Sequence, residues 1–229
     1  MRKHYPWLWF DADGTLFDYN RAEGIAIKNA FEALSIPFND ECLEVYRRIN
    51  KQLWQALERR EITPDVLQVR RFEMLQEALQ LSFSPCHLGT AYLEQLAIRA
   101  ELIDGASEIL HTLHGRCRVA IVTNGLQAVQ RSRLANSLIR DYIAELIISE
   151  EVGAAKPKPG FFEAASARLG HPAKSDVLMI GDSLTADMQG GLDYGLDTCW
   201  YNPSAEPRPG DLQITYEIAH LRELLEVLG

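Results

Sequence analysis

Two hydrophobic patterns alternate along the chain. Short, nearly continuous apolar runs rich in β-branched and aromatic residues fall at Tyr5–Phe10, Arg118–Val122, Leu146–Ser149, Val177–Ile180 and Thr198–Tyr201, each followed by polar, glycine-bearing turn residues. Runs of this kind predict strands buried on both faces. Between them, near Gln127–Ser137, Phe161–Leu169 and Leu184–Tyr194, and again at Leu221–Leu228, the pattern becomes helical. Strand, helix and strand in repetition predict an α/β fold, a doubly wound parallel sheet with helices on both faces.

Residues 19–102 break the alternation. They contain no strand signal and read as successive amphipathic helices, which predicts an all-helical insertion within a core formed by residues 1–18 and 103–229. Thr63-Pro64-Asp65 marks a helix start, with a capping hydroxyl, proline at the first position and an early acid. The following segment places Val66, Val69, Phe72, Leu75 and Leu79 on one apolar stripe. Near the end, Asn202–Asp211 is a proline-rich surface loop preceding a last short strand and helix.

Composition narrows the choice of partner. The 229 residues are 47% apolar and 24% charged, an ordinary globular balance, and carry a net charge of −9 with a pI of about 5.2. Scattered Lys and Arg argue against polymeric nucleic acid or an anionic membrane, and leave a small anionic ligand, provided that a local positive centre exists. No apolar stretch reaches the ~18 residues that a membrane span needs. The apolar run at the start is interrupted by Pro6 and ends at Asp11, too short for a signal peptide, so the expected location is the cytoplasm. Cys42, Cys86, Cys117 and Cys199 are widely spaced, without zinc or disulfide patterning, and Cys117 and Cys199 are expected as small buried side chains.

Open parallel sheets bind ligands beyond the carboxyl ends of their strands. The residues there are Asp11 and Asp13, then Thr123-Asn124-Gly125, then Lys156, then Asp182 and Asp187. Singly, each has an ordinary structural reading: Asp13-Gly14 a turn, Thr123, Asn124 or Asp182 a helix cap, Lys156 a solvated charge. "DADG" is also a fragment of a calcium loop, whose third acid and closing glutamate are missing. Together the acids would repel, and clustered carboxylates point to a bound cation. A few hard oxygen ligands suit Mg²⁺, with Mn²⁺ as a substitute, sharing its remaining positions with a substrate phosphate. Lys156 then supplies a second positive centre, and the set points to phosphoryl chemistry.

Four ordered segments carry a resemblance: "DADGTL" at Asp11–Leu16, "VTNG" at Val122–Gly125, "AKPKPGFF" at Ala155–Phe162 and "GDSLTAD" at Gly181–Asp187. They resemble the motifs of the haloacid dehalogenase superfamily, over nearly the whole chain, and the insertion resembles that family's helical C1 cap. The resemblance implies a Rossmann-like core of strand order 5-4-1-2-3. It implies that Asp11 is the nucleophile, Asp13 the general acid and base, and Thr123 the phosphate-binding hydroxyl, helped by the Asn124 backbone. Lys156 would bridge nucleophile and phosphate. Asp182 would bind the metal alongside Asp11 and the backbone carbonyl of Asp13, with Asp187 supporting the metal site and Gly14 and Thr15 forming the turn. Dehalogenases of the superfamily lack an acid at the position of Asp13, since halide leaves without a proton, so the resemblance implies a phosphatase working through an aspartyl phosphate.

Ile49–Glu73, Ile148–Pro157 and Gly195–Asn202 further resemble the superfamily's pyrimidine 5′-nucleotidases, implying nucleoside 5′-monophosphate substrates, deoxyuridine and thymidine monophosphates among them. Asn50 and Trp54, four apart on one helix, put an amide and an indole on one face, suited to reading and stacking a base, and Arg71 is suited to phosphate or ribose. The alternative is that Trp54 and Phe72 are interior packing of the helical unit. Rival readings are a phosphatase for another small metabolite, such as phosphoglycolate or a sugar phosphate, and, from another class, a receiver-like phosphoaspartate module, which lacks a helical insertion and carries adjacent rather than alternate acids.

Overall fold

A computed structural model of the chain describes residues 3–59 and 61–229, so the first two residues of the expected core and residue 60 of the expected insertion lie outside the description. The elements run β1 (Trp7–Phe10), α1 (Tyr19–Ala33), α2 (Asp40–Glu58), α3 (Pro64–Leu79), α4 (Pro85–Ala97), α5 (Ala106–Leu113), β2 (Arg118–Thr123), α6 (Gln127–Ala135) and β3 (Ile143–Ile148). They continue through α7 (Ser149–Val152), α8 (Pro159–Arg168), β4 (Val177–Gly181), α9 (Gly190–Tyr194), β5 (Asp197–Tyr201), β6 (Tyr216–Ile218) and α10 (Leu224–Leu228). The chain divides into two compact units, Met1–Tyr19 with Ala100–Gly229, and Asn20–Arg99.

The first unit is built on a parallel sheet of order β3-β2-β1-β4-β5-β6. This is the implied five-strand order read from its other edge, with β6 added beside β5. β1 is central, with Phe10 in register with Ile121 on one side and Ile180 on the other. Its side chains alternate between two cores. Leu8 and Phe10 join Ile109, Leu110, Leu221 and Leu224, whereas Trp7 and Trp9 join Phe161, Phe162, Ala165 and Met179. Burial on both faces explains why β1 reads as an unbroken apolar run.

Two elements depart from the sequence expectation. β3 starts three residues before its apolar run, because its first half lies on the sheet edge with Ala144 exposed and Glu145 half-buried. The expected helix at Leu184–Tyr194 is a π-helical segment, Leu184–Gln189, followed by α9. The amides of Asp187 and Met188 both return to the Ser183 carbonyl at 3.1 Å, which widens the turn. Such turns recur at functional sites.

The second unit holds most of α1 and all of α2, α3 and α4. Asn39, Thr63 and Ser84 cap α2, α3 and α4 through their side chains, with proline opening α3 and α4. Tyr46, Phe72 and Tyr92 pack with ring centroids 5.4–5.7 Å apart. The expected α3 stripe needs correction. Leu67, Arg71, Phe72 and Leu75 are the buried residues, whereas Val66 and Val69 are exposed. Phe72 and Leu75 lie on the buried face as expected, but that face also includes Leu67 and a polar position, Arg71, which an apolar count skips, so the face is turned away from Val66 and Val69. Cys42 and Cys199 are buried, Cys117 is half-buried just before β2, Cys86 is exposed, and all four are free thiols. No described helix is long and apolar enough to cross a membrane.

The corrected face yields a contrast measurable by urea denaturation. Phe72→Ala, which empties the centre of the aromatic cluster, should cost about 3–5 kcal/mol, whereas Val66→Ser should change stability by no more than about 0.5 kcal/mol.

Candidate active site

The end of β1 continues the alternation of the strand. Ala12 is buried in the same core as Leu8 and Phe10, so Asp11 and Asp13 fall on the alternate positions. The Asp11 amide donates to the Ile180 carbonyl at 2.8 Å, which ties the strand exit to β4. Beyond it the chain turns at Gly14, at φ +87°, where a Cβ would stand 2.6 Å from Asp182 Oδ2. Only glycine allows both that backbone conformation and the approach of Asp182.

Lys156 draws the strand ends together. Its Nζ donates to Asp11 Oδ1 at 2.6 Å, Asp187 Oδ1 at 2.6 Å and the Val122 carbonyl at 2.8 Å, and the residue is only 2% exposed. Burial alone would disfavour the ammonium, but the Asp11 and Asp187 carboxylates outweigh it and hold Lys156 above the ordinary lysine range. The backbone of Lys156 is fixed by Asn124, whose Oδ1 accepts from the Lys156 amide and whose Nδ2 donates to the Lys156 carbonyl, both at 2.9 Å. The Asn124 side chain is thus committed to the loop, leaving its main chain as the group available to an anion.

Thr123 is 1% exposed and its Oγ1 accepts from the Gly125 amide at 3.0 Å, so its own proton is left to donate. Neither Thr123 nor Asn124 caps α6, whose N-cap is Leu126, and the cap after β4 is Ser183 rather than Asp182. Asp187 is wholly buried and its Oδ2 accepts from the Ser183 amide at 3.1 Å. Asp182 receives Thr15 Oγ1 at 3.4 Å, and its carbonyl accepts from Trp200 Nε1 at 3.0 Å.

One oxygen from each of Asp11, Asp182 and Asp187 lies within 4.8 Å of the others. Burial first, then repulsion from Asp187 and Asp182, push Asp11 well above the usual carboxylate range against the pull of Lys156. Asp182 reaches solvent, yet the protein packed behind its carboxyl and the Asp187 charge push it up to about 7. Three carboxylates around one ammonium leave excess negative charge, and their hard oxygen set fits a divalent cation. Asp187 already spends both oxygens on Lys156 and Ser183, which makes it a support, with Asp11 and Asp182 better free to ligate.

Asp13 is held differently. Gln130 Nε2 donates to its Oδ2 and Arg133 Nη1 to its Oδ1. Sequence reasoning missed both partners, reading α6 only as cover for the sheet. The available signal was a glutamine and an arginine three apart, hence on one face. It also missed the Ser183 amide and the Val122 carbonyl, which as main-chain groups leave no trace in residue type.

Within the helical unit, Asn50 and Arg71 are brought together. Asn50 Nδ2 donates to Glu23 Oε1 at 2.9 Å, and Arg71 Nη1 donates to Asn50 Oδ1 at 3.4 Å. Both are buried, and the Arg71 guanidinium lies 4.8 Å from the Tyr92 ring centroid. Trp54, on α2, is half-buried.

Fold and strand-end residues together define a doubly wound α/β hydrolase centre, with a buried lysine beside a cluster of acids whose oxygens suit a divalent cation. The sequence model of the haloacid dehalogenase-like hydrolases matches residues 7–195, and the chain belongs to that family. It is similar to pyrimidine 5′-nucleotidase YjjG of Escherichia coli (strain K12), 36% identical over 224 residues, 98% of either chain. Pyrimidine 5′-nucleotidase PynA of Streptococcus pneumoniae (strain ATCC BAA-255 / R6) is 34% identical, covering 98% of this chain and 95% of its own. A magnesium-bound crystal structure of the putative HAD-hydrolase YfnB from Bacillus subtilis superimposes with a TM-score of 0.93 at 35% identity, covering 99% of this chain and 100% of that one.

Lys156→Met would leave Asp11 and Asp187 buried without their counter-charge. Breaking such a group should destabilise the protein by about 3–5 kcal/mol, read from urea denaturation in the absence of divalent cations. Millimolar Mg²⁺ should restore part of the loss.

Proposed function

We propose that the chain is a Mg²⁺-dependent phosphatase for small phosphate monoesters, acting on pyrimidine nucleoside 5′-monophosphates. The observation that carries the reading is the single ammonium of Lys156 shared by Asp11 and Asp187, with Asp13 held separately nearby in sequence. Two carboxylates two residues apart are thereby given different surroundings, and so different work.

Asp11 is the nucleophile. One oxygen is oriented by Lys156, and the carboxylate attacks phosphorus to form an aspartyl phosphate as the ester oxygen departs. The Thr123 hydroxyl and the Asn124 main chain hold the phosphoryl oxygens, and the positive charge of Lys156, bridging to them from Asp11, offsets the charge that spreads over them. Asp13 gives a proton to the leaving oxygen, then takes one from the water that hydrolyses the intermediate. Mg²⁺, held by Asp11, Asp182 and the Asp13 carbonyl with Asp187 in support, would supply further positive charge at the transferring group. Mn²⁺ suits the same oxygens. A halide would leave without the proton that Asp13 carries, so its presence supports ester hydrolysis over dehalogenation.

The nucleoside reading is supported by similarity to two pyrimidine 5′-nucleotidases over nearly full length. The unit Asn20–Arg99 serves as the cap, with Trp54 stacking the base and Asn50 and Arg71 forming the polar side of that region. We place the chain's action on a small metabolite of the cytoplasm, and its acidic balance suits such a ligand better than a polyanionic surface.

Turnover of a panel of monophosphates, with and without Mg²⁺, tests the reading directly. Thymidine and deoxyuridine monophosphates should be among the best substrates and EDTA should stop release of phosphate. A panel led by phosphoglycolate or sugar phosphates would overturn the substrate class. Asp11→Asn should reduce turnover to background, and Asp182→Asn should abolish the rise in melting temperature that Mg²⁺ gives the parent protein. Trp54→Ala should raise KM for thymidine monophosphate by roughly tenfold, the order expected for a lost base stack, and an unchanged KM would remove Trp54 from the site.

A further inference from the structure

Three of the four strand-end acids divide between two cations. Lys156 serves Asp11 and Asp187, while the carboxylate of Asp13 is gripped at both oxygens by α6, through Gln130 and Arg133. We propose that Gln130 and Arg133 are positioning residues for proton transfer: they fix the plane of the Asp13 carboxyl and leave the other sites on its oxygens to carry the proton given to the leaving oxygen and to accept one from the incoming water. The inference rests on the reading of Asp13 as the general acid and base.

Arg133 makes poor sense as a packing residue. It is fully buried, yet its Nε and Nη2 make no hydrogen bond, and a buried cation with orphaned donors costs stability. An apolar side chain would serve the interior of α6 better. What Arg133 does provide is a fixed donor to Asp13 Oδ1, with its guanidinium 5.4 Å from the Phe17 ring centroid. Phe17 belongs to the same turn as Asp13, bridged to it in the backbone.

Gln130 supplies the second point. It is 2% exposed, and a Cβ at Gly125 would stand 2.2 Å from its Nε2. Gly125 is therefore open space for Gln130 as well as part of the loop after β2. Since Gln130 and Arg133 lie three apart, one helix face presents both donors, and only the N-cap Leu126 separates that helix from Thr123-Asn124-Gly125. The loop assigned to the phosphate and the grip on the proton donor share one rigid element. An acid held in this way is pre-oriented, and proton transfer depends steeply on such geometry.

The test compares leaving groups. An alkoxide from thymidine monophosphate must be protonated as the P–O bond breaks, whereas 4-nitrophenolate leaves without help. For each variant, kcat/KM, which covers steps only through departure of the alcohol, is measured on both esters. Loss of folded enzyme lowers both equally; loss of a positioned acid lowers the first selectively. Asp13→Asn should depress the ratio of thymidine monophosphate to 4-nitrophenyl phosphate by about 10²-fold or more. Arg133→Met and Gln130→Met should each depress it at least about tenfold, mostly through kcat, with Arg133→Lys recovering part of the loss. If Arg133→Met does not fold, Gln130→Met decides alone. A ratio unchanged in Gln130→Met and Arg133→Met, while Asp13→Asn is selective, overturns the grip. A non-selective Asp13→Asn overturns the reading of Asp13 itself, and the grip with it.

Discussion

An ammonium can be buried in a protein only where its three donors are met, and at Lys156 they are met by Asp11, Asp187 and the Val122 carbonyl. Those partners come from the end of β1, the π-helical segment after β4 and the end of β2, the three adjacent strands at the middle of the sheet. One charge thus fixes the relative height of three strand ends. The constraint propagates outward. Lys156 arrives on a loop that has no strand of its own, so Asn124 must clamp its backbone, and Asp187 must be delivered by a widened turn whose amide at Ser183 also meets it. The arrangement still leaves excess negative charge. That excess makes the same cluster both a cost to folding and a place for a divalent cation.

The strand ends were legible in the sequence because parallel strands buried on two faces leave unbroken apolar runs, and the first polar residue after each run marks the ligand edge. Asp11, Thr123 and Asp182 follow their runs in this way, Lys156 and Asp187 come later along the chain, and the contacts of Lys156 join it to Asp11 and Asp187. What escaped is what carries no residue-type signal. The Ser183 amide and Val122 carbonyl are main-chain groups. The first half of β3 is an edge with an exposed alanine and half-buried Ile143 and Glu145, so Glu145 interrupts its apolar run.

Buried polar residues account for the remaining differences. On α3, Arg71 occupies the inner face, and counting only apolar positions turned the stripe toward Val66 and Val69. On α6, Gln130 and Arg133 occupy the inner face in the same manner. In each case a neighbouring group in the fold makes the burial tolerable: Asn50 and the Tyr92 ring for Arg71, the Asp13 carboxylate for Arg133. A hydrophobic pattern is blind to partners contributed from elsewhere in the chain. These positions are the ones where local propensity and the final structure disagree, and such disagreements gather where a protein has chemistry to do.

On the proposed mechanism, Asp11 and Asp13 take two opposite tasks at a single strand exit. A nucleophile needs to remain charged next to a dianion, which calls for a nearby ammonium that is itself tightly held. A proton donor needs an orientation that survives gain and loss of its proton, which calls for donors that fix the carboxyl plane. Alternation along β1 puts the two carboxylates at equivalent positions, with Ala12 between them committed to the core. Their difference therefore arises from what approaches them: a lysine shared with a second buried acid on one, a glutamine and an arginine from one helix on the other. The residue types at positions 11 and 13 are identical, and it is their partners that distinguish them.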